Sequence, residues 1–99
     1  MITRIVKMTF REEAIPEFKE IFASTKSKIR GFEGCLDVQL LELLEKPAIL
    51  FTISKWESTM ALDNYRKSDL FSHTWKRTKV LFSCPAEVWS LGAVENLPQ

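Results

Sequence analysis

Two side chains in this sequence join a flat aromatic face to a polar tip beside predicted helices: Tyr65 and Trp75. Trp75 lies on a stripe at helical spacing with Leu70, Phe71, Thr74, Thr78, Leu81 and Phe82, which turns it toward the interior. Such groups could stack a planar aromatic guest, Phe71 adding a further ring, while a phenol O–H or indole N–H orients one of the guest's oxygens. Arg4, Asp37, Thr52 and Ser54, all on predicted strands, would contribute charge and hydrogen bonds from the other wall of the same pocket. A phenol with a pKa near about 10 is a poor base at neutral pH but a serviceable hydrogen-bond donor. The same stripe would serve equally as plain core, and Asp37 and Gln39 also suit an exposed strand face.

Other chemistries find little support. The only histidine, His73, falls with Lys76, Arg77 and Val80 on the side of the helix opposite the stripe, so it is expected in solvent. It has no Cys, Asp or Glu partner at helical or hairpin spacing, and no metal site is expected. Gly31 and Gly34 lack the G-x-G-x-x-G pattern and precede a strand rather than a helix, so no flavin or nicotinamide cofactor is expected either. Glu12, Glu13, Glu17 and Glu20 stand near the start of a helix, where negative charge complements the dipole. With 14 basic and 13 acidic residues the formal charge is +1, which argues against nucleic acid or an anionic membrane as partner. A neutral organic ligand fits better. No apolar run approaches the roughly 20 residues of a membrane span. The opening Met1-Ile2-Thr3-Arg4 passes straight into alternating residues without the apolar segment of a signal peptide, which predicts a cytoplasmic protein.

The elements that would carry these residues follow from periodicity. Ile2, Arg4, Val6, Met8 and Phe10 alternate with Thr3, Ile5, Lys7 and Thr9, predicting a strand over 2–10. Phe18, Ile21, Phe22, Thr25 and Ile29 recur at helical spacing behind Pro16, a residue tolerated in a first turn. Gly31 is expected to end this helix in a left-handed conformation, and Gly34 to turn the chain into the next strand. Residues 35–44 and 48–56 read as an antiparallel hairpin about Glu45-Lys46-Pro47, with Leu40-Leu41 and Leu43-Leu44 marking burial on both faces or a bulge. Ser58 is a candidate N-cap for a short helix through Lys67. Ser68 or Asp69 would cap a longer one to about Phe82, with Pro85 as its stop. A last strand is predicted over 86–91 and a tail over 92–99.

The order β-α-β-β-α-β predicts an α+β fold of ferredoxin-like type, one domain spanning 1–99, with four antiparallel strands and the helices on one face. Cys35 and Cys84 would then occupy opposite sheet edges as free thiols, beyond disulfide reach. The uncovered face keeps Ile5 and apolar residues of the third strand, so a homodimer built sheet to sheet is expected.

Trp56-Glu57-Ser58, then Ala61-Leu62 and Asn64-Tyr65-Arg66-Lys67-Ser68-Asp69-Leu70-Phe71, together with Phe32-Glu33-Gly34-Cys35 before the second strand, form a pattern over nearly the whole chain. In this order they resemble the antibiotic biosynthesis monooxygenase family, whose members pair into a dimeric α+β barrel. The resemblance implies a cofactor-independent monooxygenase that oxidises a small quinol-like or polycyclic phenolic substrate with O2, the ionised substrate itself being the reductant. Tyr65 and Trp75 would be its catalytic residues, positioning the substrate, and Arg4 would stabilise the anion. Heme-degrading members carry an Asn where this chain has Val6 and an axial His where it has Trp75, so their activity is not implied. Quinol-type members often place histidines where this chain has Tyr65 and Leu70. The alternative is a non-catalytic dimeric barrel, a ligand-binding or stress-associated module with the same fold.

Overall fold

The computed structural model describes residues 1–94. Strands β1 (Ile2–Phe10), β2 (Cys35–Leu43), β3 (Lys46–Trp56) and β4 (Phe82–Gly92) form one antiparallel sheet in the order β2-β3-β1-β4. Helices α1 (Ile15–Arg30), α2 (Thr59–Arg66) and α3 (Asp69–Lys79) pack on one of its faces, the ferredoxin-like α+β arrangement. Alternation in β1 has the expected outcome: Arg4, Val6, Met8 and Phe10 are buried beneath the helices, while Thr3, Ile5, Lys7 and Thr9 face the other way and stay half-exposed. The strand pairs Arg4 with Ser54 of β3 and Val6 with Thr52, so these four side chains share the helix-covered face.

Two serines set the helix geometry around the break after α2. Ser58 Oγ accepts from the Ala61 amide at 3.1 Å, and Ser68 Oγ accepts from the Phe71 amide at 3.1 Å, so each satisfies an N–H group that the helix itself cannot. Ser68 Oγ also donates to the Tyr65 carbonyl, tying the end of α2 to the start of α3. Through this one residue the positions of Tyr65 and Phe71 are coupled.

Several boundaries differ from expectation. Helix α3 ends at Lys79, short of Phe82, because Phe82 is already paired with Phe10 in the sheet. Leu81 and Phe82 are apolar and inward-facing in either conformation, so helical spacing alone could not separate them. Pro85 lies inside β4 rather than before it, on an edge strand and within the register shift between Lys7 and Thr9, which pair with Glu87 and Cys84. There the missing N–H costs no ladder bond. Gly92 belongs to β4 and not to a tail; Ala93 and Val94 follow it outside the strand, and 95–99 of the expected tail lie outside the described residues. β2 stops at Leu43, with a register shift between Glu42 and Leu43, so the paired leucines mark a bulge and leave Leu44 86% exposed. β3 begins two residues early, at Lys46. Gly31 is right-handed at φ −83°, and the left-handed residue is Gly34, at φ 86°.

The interior has two parts. One gathers Phe10, Phe18, Phe22, Leu50 and Leu81, the other Ile29, Cys35, Trp56, Leu62 and Tyr65. Trp56 is fully buried at their second centre, where its indole N–H donates to Ser54 Oγ at 3.0 Å. Both cysteines are free thiols, Cys35 buried on β2 and Cys84 exposed on β4, the two edges of the sheet.

Candidate functional site

A cavity of about 80 Å³ lies where the two parts of the core meet, between the sheet and the helices. Its floor is Arg4, Val6 and Met8 of β1, Thr52 and Ser54 of β3 and Val38 of β2; α1 and α3 roof it, and Tyr65 of α2 closes one side. An engineered apolar cavity of about 150 Å³ takes up one benzene ring, so a void of this size suits no more than a single ring.

The walls are aromatic and mutually braced. Tyr65 stacks on Trp56 at a centroid distance of 4.8 Å and meets Phe71 edge-on at 5.3 Å. Phe71 in turn stacks on Trp75 at 6.0 Å with only 9° between the planes. Because Phe71 and Trp75 are one helical turn apart and Tyr65 is fixed to Phe71 through Ser68, the rings form a continuous surface rather than independent rotors.

Polar groups converge against this surface. Arg4 is 6% exposed, and its guanidinium carbon sits 5.9 Å from the Phe71 ring centroid. Among the described residues it makes no side-chain hydrogen bond and no ion pair; the ion pairs of that region are Lys7–Glu87 and Arg11–Glu13, both away from the cavity. Burial, reinforced by the nearby positive charge of Arg66 and opposed by Tyr65, lowers the pKa of Arg4 from its ordinary value. Burial likewise pushes the Tyr65 phenol up to about 12, against the attraction of Arg4. Tyr65 is therefore a neutral O–H donor at any physiological pH. On the roof, Thr78 Oγ1 donates to the Thr74 carbonyl at 2.8 Å and Thr25 Oγ1 to the Ile21 carbonyl at 2.8 Å. Thr74 Oγ1 is buried with no hydrogen-bond partner among the described residues.

Of the residues singled out in the sequence, Arg4, Thr52, Ser54, Tyr65, Phe71 and Trp75 line this one cavity. Asp37 does not. Val38 takes the inward position opposite Ser54, so Asp37 points from the other sheet face, where Gln39 Nε2 donates to its Oδ2 at 3.4 Å. A register shift between Cys35 and Asp37 separates it from the regular alternation. His73 is exposed on α3, outside the cavity. Thr25, Thr74 and Thr78 were not singled out as polar lining residues; the available signal was a hydroxyl within each inward-facing helical stripe.

Fold and cavity together define a class: a ferredoxin-like sheet with a helix-roofed, aromatic-walled pocket. The family model described as antibiotic biosynthesis monooxygenase matches residues 1–77, and the chain belongs to that family. Among solved structures, a protein from Mycobacterium tuberculosis is 20% identical with a TM-score of 0.88, the match covering 98% of each chain. A conserved protein from Methanosarcina mazei Go1 is 25% identical over 92% of this chain and 91% of its own, with a TM-score of 0.86. SnoaB, a cofactor-independent oxygenase from Streptomyces nogalater in a mutant form, is 21% identical over 99% and 97% of the two chains, with a TM-score of 0.86. At such identities the first and third are likenesses of fold. No curated protein matches the chain.

Proposed function

We propose that the protein is a cofactor-independent monooxygenase acting on a phenolic or quinol-like aromatic substrate. The observation that carries this reading is the pairing of a buried Arg4 guanidinium with the Tyr65 phenol in an aromatic-walled cavity. Membership of the monooxygenase family supports it, as does the cofactor-independent oxygenase named among the structural neighbours.

The residues divide the work by their chemistry. Phe71 and Trp75 hold the ring of the substrate flat, and Tyr65 donates a hydrogen bond to its phenolic oxygen. Arg4 places positive charge beside that oxygen in a medium of low dielectric, which lowers the phenol's pKa and favours the electron-rich phenolate. The phenolate passes an electron to O2, and recombination places one oxygen on the ring carbon. The other oxygen leaves as water, so a phenol or quinol with a free C–H ortho or para to its hydroxyl and one O2 give a quinone and one water. Tyr65 is not the base, since its own proton is held more tightly than the substrate's. Water leaves the cavity as the substrate enters, which protects the reduced oxygen intermediate.

A second copy of the chain is proposed to cover the open sheet face, where Ile5, Phe51 and Ile53 are half-buried and Trp89 and Leu91 are exposed. Free Cys35 and Cys84 thiols support a cytoplasmic location.

Oxygen uptake by chelator-treated protein over hydroquinones and naphthols tests the activity. Turnover above autoxidation is expected, and Tyr65→Phe should lower kcat by about 10²-fold. Uptake at the autoxidation rate over the whole panel would reject the enzyme and leave the binding or stress-associated module.

A further inference from the structure

We infer that the molecule bound in the cavity is an aromatic carboxylic acid, its carboxylate held by Arg4 and its ring by Phe71 and Trp75. This rests on the reading of the cavity as a substrate site and refines it: the phenolic substrate would also carry a carboxylate, which would take Arg4 in place of the phenolic oxygen and leave Tyr65 to donate to that oxygen.

The cavity holds an unbalanced charge. Arg4 is nine-tenths buried and lies on the cavity floor, and among the described residues no carboxylate pairs with it. A guanidinium keeps its proton under all ordinary conditions, so burial cannot be relieved by neutralisation as it could for lysine or histidine. The second cation in range, Arg66, adds to the positive potential instead of cancelling it. A site with this sign and no internal counter-charge selects a guest that brings one.

The guest's ionisation state decides which anion. A phenol, with a pKa near about 10, enters neutral at pH 7 and leaves Arg4 uncompensated on arrival; a carboxylic acid, near about 4, enters already charged. The planar guanidinium fork also matches the two oxygens of a carboxylate better than the single oxygen of a phenolate. With the carboxylate on Arg4, the neutral donors around the cavity remain for ring hydroxyls: the Tyr65 phenol, and the Thr74 hydroxyl that has no partner among the described residues. The Arg4 guanidinium lies over the Phe71 ring, 5.9 Å from its centroid, so a carboxylate held by Arg4 would bring the guest against the aromatic wall. Exposed Arg66, adjacent to Tyr65 on α2, would draw such an anion toward the cavity.

Anaerobic isothermal titration at pH 7 with 2,5-dihydroxybenzoate, its methyl ester and hydroquinone tests the inference, because binding is read without turnover. The acid is expected to bind at least 10-fold more tightly than the ester. Arg4→Met should erase that preference, and Arg4→Lys, which keeps the charge but loses the fork, should retain only part of it. Thermal melts of both variants establish that they are folded, and the lysine variant carries the test if the methionine one is not. Acid and ester binding alike, neither binding, or an acid preference that persists without Arg4 would overturn the inference. Acid preference without oxygen uptake would uphold it while rejecting the oxygenase. Turnover of neutral quinols with no acid preference would do the reverse.

Discussion

Arg4 occupies an inward position of β1 that its neighbours fill with Val6, Met8 and Phe10, and strict alternation was enough to place it beneath the helices. Asp37 was equally plausible as a strand residue, but β2 lacks clean alternation and the register shift beside Cys35 sends Asp37 to the opposite face. Tyr65 is the only tyrosine in the chain, so its ionisation can be followed directly by phenolate absorbance. The folded protein should titrate near pH 12, against about 10 for the unfolded chain. Between those values the native state retains a proton that the unfolded state has lost. Stability from this group is therefore complete below about pH 10 and is lost as pH rises through about 12, a change on the order of 2–3 kcal/mol. A phenolate signal with its midpoint near 10 in protein still folded by circular dichroism would contradict the buried, cavity-lining placement.

At the level of elements, the turn from α1 into β2 is the most tightly specified segment. Gly34 makes the turn into β2 that the sequence suggests, while Gly31 ends α1 without the left-handed conformation expected of it. The α1 terminus is closed by the Gly31 amide donating to the Ser27 carbonyl at 2.9 Å in ordinary right-handed geometry, so no left-handed residue is needed there. Gly34 needs its missing side chain twice over. Its φ is 86°, and a Cβ on it would stand 2.4 Å from Ala61 Cβ of α2. The Gly34 carbonyl also accepts from the Glu57 amide at 2.8 Å, so the same residue docks the turn against the end of β3. Gly34→Ala is expected to lower stability by roughly 2–4 kcal/mol, combining left-handed strain with overpacking against α2. Urea denaturation would measure it, and a loss below about 0.5 kcal/mol would mean that α2 can withdraw freely. Because α2 carries Tyr65, ligand affinity should fall in the same variant.

For the molecule as a whole, the open face of the sheet is where the second copy is proposed to pack. Ile5, Phe51 and Ile53 share it with Trp89 and Leu91, the last two 44% and 48% exposed, and β-sheets packed face to face bury just such rows. Sedimentation equilibrium should give twice the 11.5 kDa chain mass, and Ile53→Glu combined with Trp89→Glu should give the single-chain value. A wild-type protein that sediments as one chain at micromolar concentration would leave that face without its proposed partner. Element order, strand pairing order and the inward positions of β1 and α1 were all readable in the sequence, because periodicities of two and 3.6 residues report which face each side chain takes. The ends of α3 and β4 were not, since Leu81 and Phe82 are inward in a helix or a strand and only pairing with Phe10 decides between them. The sequence also suggested a shared pocket for Arg4, Ser54 and Tyr65, but not that Thr74 joins them or that Asp37 is left out. Local patterns determine which way a residue faces; whether residues from four elements enclose empty space depends on how the helices settle on the sheet, and only the tertiary structure decides that.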